Sequence, residues 1–177
     1  MKRWLIVLLM AVTGCKASSK HSSATQPAIA TTRPAAIDSF EGPYRFLSNF
    51  WPAEVEFEGH VYPTVEHAYQ AAKFTDNTMR ERVAAAPTPG EAKHIAHTAT
   101  TQRANWDTAK FQVMEICVKY KFTHHDDLRA KLLDTGDAEL IEGNTWGDQI
   151  WGVYRDQGDN RLGKLLMKIR GELRQSN

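Results

Sequence analysis

Apolar and polar positions alternate with a period of two over VEFEGHVY, on either side of Glu58-Gly59. The pattern predicts a β-hairpin of Val55–Phe57 with His60–Tyr62. Past Pro63 the period lengthens to that of a helix. A first long helix is expected over roughly 65–84, with Thr64 as its N-cap. Thr88-Pro89-Gly90-Glu91 has the form of a capping box with proline at the first helical position, and predicts a short helix to about Thr98. Asn105 is expected to cap a helix from Trp106 to Phe122. Asp126 or Asp127 opens another, with Leu128, Leu132 and Leu133 on its apolar face and Gly136 beyond its end. Ala138 to Glu142 reads as a short strand, and NTWGDQIWGVYRDQGDN as loop. Asn160 then caps a last helix, with Leu162, Leu165, Leu166, Ile169 and Leu173 at helical spacing. The expected fold class is α+β: a helix-dominated single domain with a small β-hairpin or sheet.

The first 36 residues follow neither period. Lys2 and Arg3 precede an apolar run, Trp4 to Val12, too short to span a bilayer but suited to the core of a signal peptide. Val12-Thr13-Gly14-Cys15 has the form of a bacterial lipobox, in which Cys15 is lipidated and becomes the new N-terminus. A plain secretory signal and an N-terminal anchor are the other readings of this segment. Residues 1–15 are therefore expected to be a lipoprotein signal peptide. Residues 16–36, rich in Ala, Ser and Thr, form a tether, and residues 37–177 form the globular domain. The expected location is the bacterial cell envelope, with the protein held at the membrane by its N-terminal lipid; without a functional signal it is the cytoplasm.

This division changes the meaning of the net charge of +1. Residues 1–36 hold five of the 22 bases and none of the 21 acids, so the domain carries 17 bases against 21 acids, a net of −4. A mildly acidic domain is a poor binder of bulk nucleic acid, although a local pocket can still take one phosphate. Cys117 is then the one thiol left. It lies among apolar neighbours in FQVMEICVKYKF and reads as a small buried hydrophobe. His124 and His125 are adjacent and diverge. His94 and His97 share a helix face without a visible third ligand, so no metal is expected. No Gly-x-Ser-x-Gly or glycine-rich phosphate loop occurs.

What remains for chemistry is a set of polar residues among aromatics. Glu66 and Lys73, seven residues apart, leave a continuous helix from one face, with Tyr69 and Gln70 between them. They form either a solvated ion pair or the floor of a site. Asn49 and Phe50 lie in RFLSNFWP, Trp106 opens a helix, Asp148 sits between Trp146 and Trp151, and Asn160 follows Gly158-Asp159. Aromatic faces stack on flat bases, amides read sugar hydroxyls, and paired carboxylates serve glycosidic cleavage. Core packing for the tryptophans and a turn cap for Asp148 are the plain alternatives.

Five blocks in order, FLSNFWP, GHVYPTVEHAYQAAKF, NWDTAKFQVMEICVKYKF, LLDTGDAELIEGNTWGDQIWG and GDNRLGKLLMKIR, resemble the NADAR domain family over about Ile37 to Leu173. That family includes bacterial N-glycosidases acting on early riboflavin-biosynthesis intermediates and enzymes that remove ADP-ribose from guanine. The resemblance implies a NADAR-like fold and hydrolysis of the N-glycosidic bond between a base and a (phospho)ribose or ADP-ribose, with no cofactor. It places Glu66, Lys73 and Asp148 in the catalytic set, and Asn49, Phe50, Trp106 and Trp151 against the substrate, where Asn160 is also expected. Trp51 departs from the family, which often has tyrosine there. By this resemblance, the partner is a small ribosylated base or an ADP-ribosylated nucleobase. Glu66 would face the positive charge that develops on the sugar, and Asp148 would orient ribose or activate water. Lys73 would bind phosphate, tune Glu66 or attack C1′ as an amine. A non-catalytic nucleotide-binding lipoprotein is the alternative of another class, since a protein outside the cytoplasm would not normally meet riboflavin intermediates.

Overall fold

The computed structural model describes residues 34–176. The expected signal peptide, the lipidation site Cys15 and almost all of the expected tether lie outside the described residues. Elements follow in the order β1 (Ala36–Ile37), a 3-10 helix (Gly42–Leu47), β2 (Val55–Phe57), β3 (His60–Tyr62), α1 (Val65–Ala71), α2 (Asn77–Ala84), α3 (Pro89–Thr98), α4 (Trp106–His124), α5 (Asp126–Asp134), β4 (Glu139–Leu140) and α6 (Arg161–Gln175). The α+β class is as expected: helices dominate, with two small two-stranded sheets.

The hairpin forms in the expected register, Val55 opposite Tyr62 and Phe57 opposite His60. Its turn needs positive φ at both central residues, and Glu58 and Gly59 adopt +49° and +76°. The 65–84 helix is not continuous. Its first piece ends at Ala71, and Lys73 N–H reaches back to the Gln70 carbonyl in a tightened turn. Asp76 then starts α2 by accepting from Thr78 N–H. An aspartate that can cap its own following turn competes with helix continuation. Thr64 and Thr88 cap as expected, on His67 N–H and Glu91 N–H. Asn105 and Asn160 stand at N-cap positions, but neither side chain caps. Asn105 instead accepts from Arg103 Nε.

Residues 138–142 supply a strand of only two residues, and its partner is β1: Ala36 and Ile37 pair in parallel with Glu139 and Leu140. Local pattern cannot reveal so distant a partner. α6 seats tightly on this ladder, and a Cβ added at Gly163 would come within 2.0 Å of the Leu140 carbonyl oxygen. Glycine is therefore required there for backbone to approach backbone. The core joins Leu47, Val55, Val65 and Ala68 to Met114, Cys117 and Phe122 of α4, and to Leu132, Leu162, Leu166 and Ile169. Cys117 is buried, and burial pushes its thiol up to about 12, which leaves it an inert hydrophobe.

Two buried cations tie the elements together. Arg170 donates to Thr135 Oγ1 (2.7 Å) and the Ala138 carbonyl (2.9 Å), fixing α6 against the end of α5. Lys121 of α4 donates Nζ to the carbonyls of Phe46 (2.7 Å) and Ser48 (2.8 Å). Burial, with some help from Arg45, lowers its amine to about 7. Lys121 therefore holds the end of the 3-10 helix, whose next residues enter the cleft.

Candidate active site

One cleft has a volume of about 700 Å³, within the range of small-molecule sites. Glu66, Tyr69, Gln70 and Lys73 form its floor. Arg45, Ser48, Asn49 and Phe50 come from the Lys121-held segment, Lys93 and His97 from α3, and Glu142, Trp146, Gly147, Asp148 and Trp151 from the loop beyond β4. Glu66 and Lys73 are 6% and 7% exposed, so they are the floor of a site rather than a solvated pair.

The short length of α1 serves this arrangement. Its seven residues are all buried, and the turn after Ala71 lets Lys73 reach the cleft although it is no longer helical. Asn49 is locked on both sides: its carbonyl accepts from Glu66 N–H (3.1 Å), and its Nδ2 donates to Met114 Sδ (3.4 Å). Gln70 Nε2 donates to Glu66 Oε1 at 2.7 Å. Burial raises the Glu66 carboxyl above its ordinary value; the Gln70 hydrogen bond and the charges of Lys93 and Lys73 oppose the rise. Burial lowers the Lys73 amine, Glu66 resists this, and Lys93 and Lys110 add to it.

The loop carrying Asp148 is wound around Asn144. Asn144 Oδ1 accepts from Gly147 and Asp148 N–H, and its Nδ2 donates to the carbonyls of Asp148 and Val153. Asp148 Oδ1 accepts from Ile150 and Trp151 N–H, both at 2.9 Å. Asp148 is thus the turn cap that the plain reading gave, and it also lines the cleft.

Of the expected substrate contacts, Asn49, Phe50 and Trp151 line the cleft, whereas Trp106 and Asn160 do not. Trp106 packs behind Tyr69 (centroids 5.0 Å apart), with Lys73 Nζ 5.9 Å from its ring. Trp151 meets Tyr69 edge-on at 5.7 Å, so both indoles support the floor. Asn160 is buried in left-handed backbone (φ +49°). Its Nδ2 donates to the Leu140 carbonyl and its Oδ1 accepts from Glu142 N–H, a correction to its expected role at the substrate. The departure at Trp51 lies outside this cleft, on a shallower groove beside His125.

Sequence reasoning missed Glu142, Lys93, His97 and Arg45. Glu142 stood at the end of an expected strand with no signal of its own. The others stood on predicted helical or loop surface, and nothing local indicates which way that surface turns. The cleft therefore gathers four carboxyls (Glu41, Glu66, Glu142 and Asp148) and four nitrogen bases of Lys, Arg and His around an aromatic floor.

Carboxyls and basic side chains gathered in one cleft make this the candidate active site of the domain. A family model for the NADAR domain matches residues 37–174, and the chain belongs to that family. Relatives at about 40% identity are named N-glycosidases, hydrolases acting on N-glycosyl bonds. An N-glycosidase of Nostoc punctiforme is 42% identical over 137 residues, covering 75% of this chain and 87% of the relative. N-glycosidase YbiA of Escherichia coli is 40% identical over 134 residues, covering 73% and 82%. A riboflavin biosynthesis protein of Vibrio vulnificus is 37% identical over 132 residues, covering 73% of this chain and 36% of that longer protein. The solution structure of Escherichia coli YbiA superposes with a TM-score of 0.70 at 36% identity, covering 80% of this chain and 84% of that one.

Proposed function

We propose that this enzyme hydrolyses the N-glycosidic bond between a nitrogenous base and a phosphorylated ribose or ADP-ribose. The observation that carries the reading is the convergence of Glu66, Glu142 and Asp148 in one cleft with Arg45, Lys93 and His97. Cleavage at C1′ builds positive charge on the sugar, and a buried carboxylate facing that charge lowers the barrier. Glu66 takes this role, held in place by Gln70. Asp148 orients the ribose or the attacking water from a loop fixed by Asn144. Arg45 and Lys93 accept phosphate at the mouth. Lys73, its amine lowered by burial with Lys93 and Lys110 adding to it, lies beside Glu66 and tunes that carboxyl for the attacking water.

The names of the relatives favour ribosylated intermediates of riboflavin synthesis, and ADP-ribosylated guanine is the second substrate to try. Incubation with each, followed by mass spectrometry, tests the proposal: a free base with a hydrolysed sugar is expected, and binding without either product would make the protein a receptor instead. Lipid anchoring through Cys15 is proposed on the Val12–Cys15 pattern. Cys15→Ser should release the protein from the membrane fraction of a bacterial host, and persistence in the pellet would exclude this anchor.

A further inference from the structure

The reaction leaves one requirement unmet by the residues assigned so far. As the C1′–N bond breaks, its electron pair goes to the base, and a neutral base departs readily only if a proton reaches it. We propose that Glu142 is the general acid that delivers this proton. The inference rests on the hydrolase reading above and assigns the leaving-group side of the same cleft.

The other three carboxyls of the cleft are committed elsewhere: Glu41 is exposed and lies 3.6 Å from Arg45. Glu66 Oε1 is occupied by the Gln70 amide, with Lys73 and Lys93 nearby. Asp148 Oδ1 receives two backbone N–H groups. On Glu66 the Gln70 amide and the two lysines oppose the rise that burial imposes. Glu142 has no such help: among the described residues no donor reaches its carboxyl. Its backbone is nevertheless fixed on both sides. Its N–H donates to Asn160 Oδ1 (3.1 Å), and its carbonyl accepts from Val153 N–H (2.8 Å). Gly152 packs so closely that a Cβ there would lie 2.3 Å from the Glu142 carbonyl oxygen. The backbone is thus fixed at the edge of the cleft, and the carboxyl it carries is uncommitted.

Glu142 is the carboxyl of this group without a donor, and no hydrogen bond offsets the effect of its surroundings on it. The groups facing Glu142 are Asp148 from its own loop, Glu66 from α1 and Lys93 from α3. Burial, then Asp148 and Glu66, push Glu142 up to about 8, while Lys93 opposes them. It therefore holds a proton at neutral pH and can still release it.

The balance is complete. The C1′–N bond breaks, the pair passes to nitrogen, and the Glu142 proton bonds that nitrogen or a conjugated ring atom. A water oxygen bonds C1′ and gives one proton to the Glu66 carboxylate. Glu66 releases this proton to solvent and Glu142 takes one up, for a net addition of water.

The test compares wild type with Glu142→Gln and Glu142→Asp on two probes. One is a neutral ribosylaminopyrimidine, whose base must be protonated. The other is nicotinamide riboside, whose cationic base leaves as a neutral molecule without a proton. Glu142→Gln should lose at least about a hundredfold in kcat/KM on the first probe and less than about tenfold on the second, the scale of removing a positioned acid. It should also lose the alkaline limb near pH 8 that wild type shows. Glu142→Asp should retain that limb at a reduced rate. Equal losses on both probes, or no loss, overturn the assignment while leaving the hydrolase intact. If wild type takes only the neutral probe, the limb decides: its survival in Glu142→Gln overturns the assignment. Failure of wild type to release base from any N-riboside removes the hydrolase reading, and this inference with it.

Discussion

Asn160 and Glu142, eighteen residues apart, are joined by a hydrogen bond from the Glu142 backbone N–H to Asn160 Oδ1, and the same amide donates to the Leu140 carbonyl. One side chain thus fixes the end of β4, the start of α6 and the backbone from which a cleft carboxyl projects.

Asn160→Ala should therefore destabilise the fold by about 2–4 kcal/mol. It leaves a buried donor and a buried acceptor unmatched, and places alanine in the left-handed region. Urea unfolding measures the change. A raised KM with stability altered by less than about 0.5 kcal/mol would return Asn160 to the substrate and defeat the strut assignment.

Glu66→Gln should keep the fold, because its amide oxygen can still accept from Gln70 Nε2. Turnover should fall at least about a hundredfold, the scale of removing positioned charge. Base release from a ribosylated pyrimidine is the measurement, and near-normal turnover would remove Glu66 from the chemistry.

Lys121 ties stability to pH in a defined direction. Its amine sits at about 7 in the folded protein against an ordinary 10.5. Between those values the unfolded chain holds a proton that the folded chain lacks, so this residue makes stability rise with pH there and level off below about 7. Lys121→Met should flatten that slope, read by urea unfolding from pH 6.5 to 10. It should also loosen the Ser48–Asn49 segment and raise KM. Parallel pH curves for the two proteins would show that Lys121 keeps its proton in the fold.

Trp146 is 62% exposed and stands on the cleft wall, unlike Trp106 and Trp151, which brace Tyr69. It is the indole free to stack on a base. Trp146→Ala should raise KM up to about tenfold with kcat nearly unchanged, in keeping with about 0.5–1.5 kcal/mol for an aromatic pair. A fall in kcat with constant KM would place its role elsewhere.

The sequence revealed most where cause and effect are local. The hairpin around Glu58-Gly59, the Thr64 and Thr88 caps and the final helix each depend on a few neighbouring residues, and each formed as expected. The division between α1 and α2 was also local, since Asp76 is a capping residue, but apolar spacing across Lys73 and Phe74 masked it. Glu66, Lys73 and Asp148 were legible through the ordered NADAR blocks, which their positions share. Glu142 was not, because its character comes from Asp148, Glu66 and Lys93 converging from other elements. Lys121 looked like one more basic residue on a helix. Only the fold shows that its amine is shut inside with two carbonyls.

The parallel pairing of Ala36 and Ile37 with β4 has a mechanical consequence. Tension on the polypeptide ahead of Ala36 would be carried first by a ladder two residues long, and from there to the strand that runs on toward Glu142. A copy held by its front end would feel drag at the same place where it positions an acid, so the rate of a tethered enzyme would report the force on its leash.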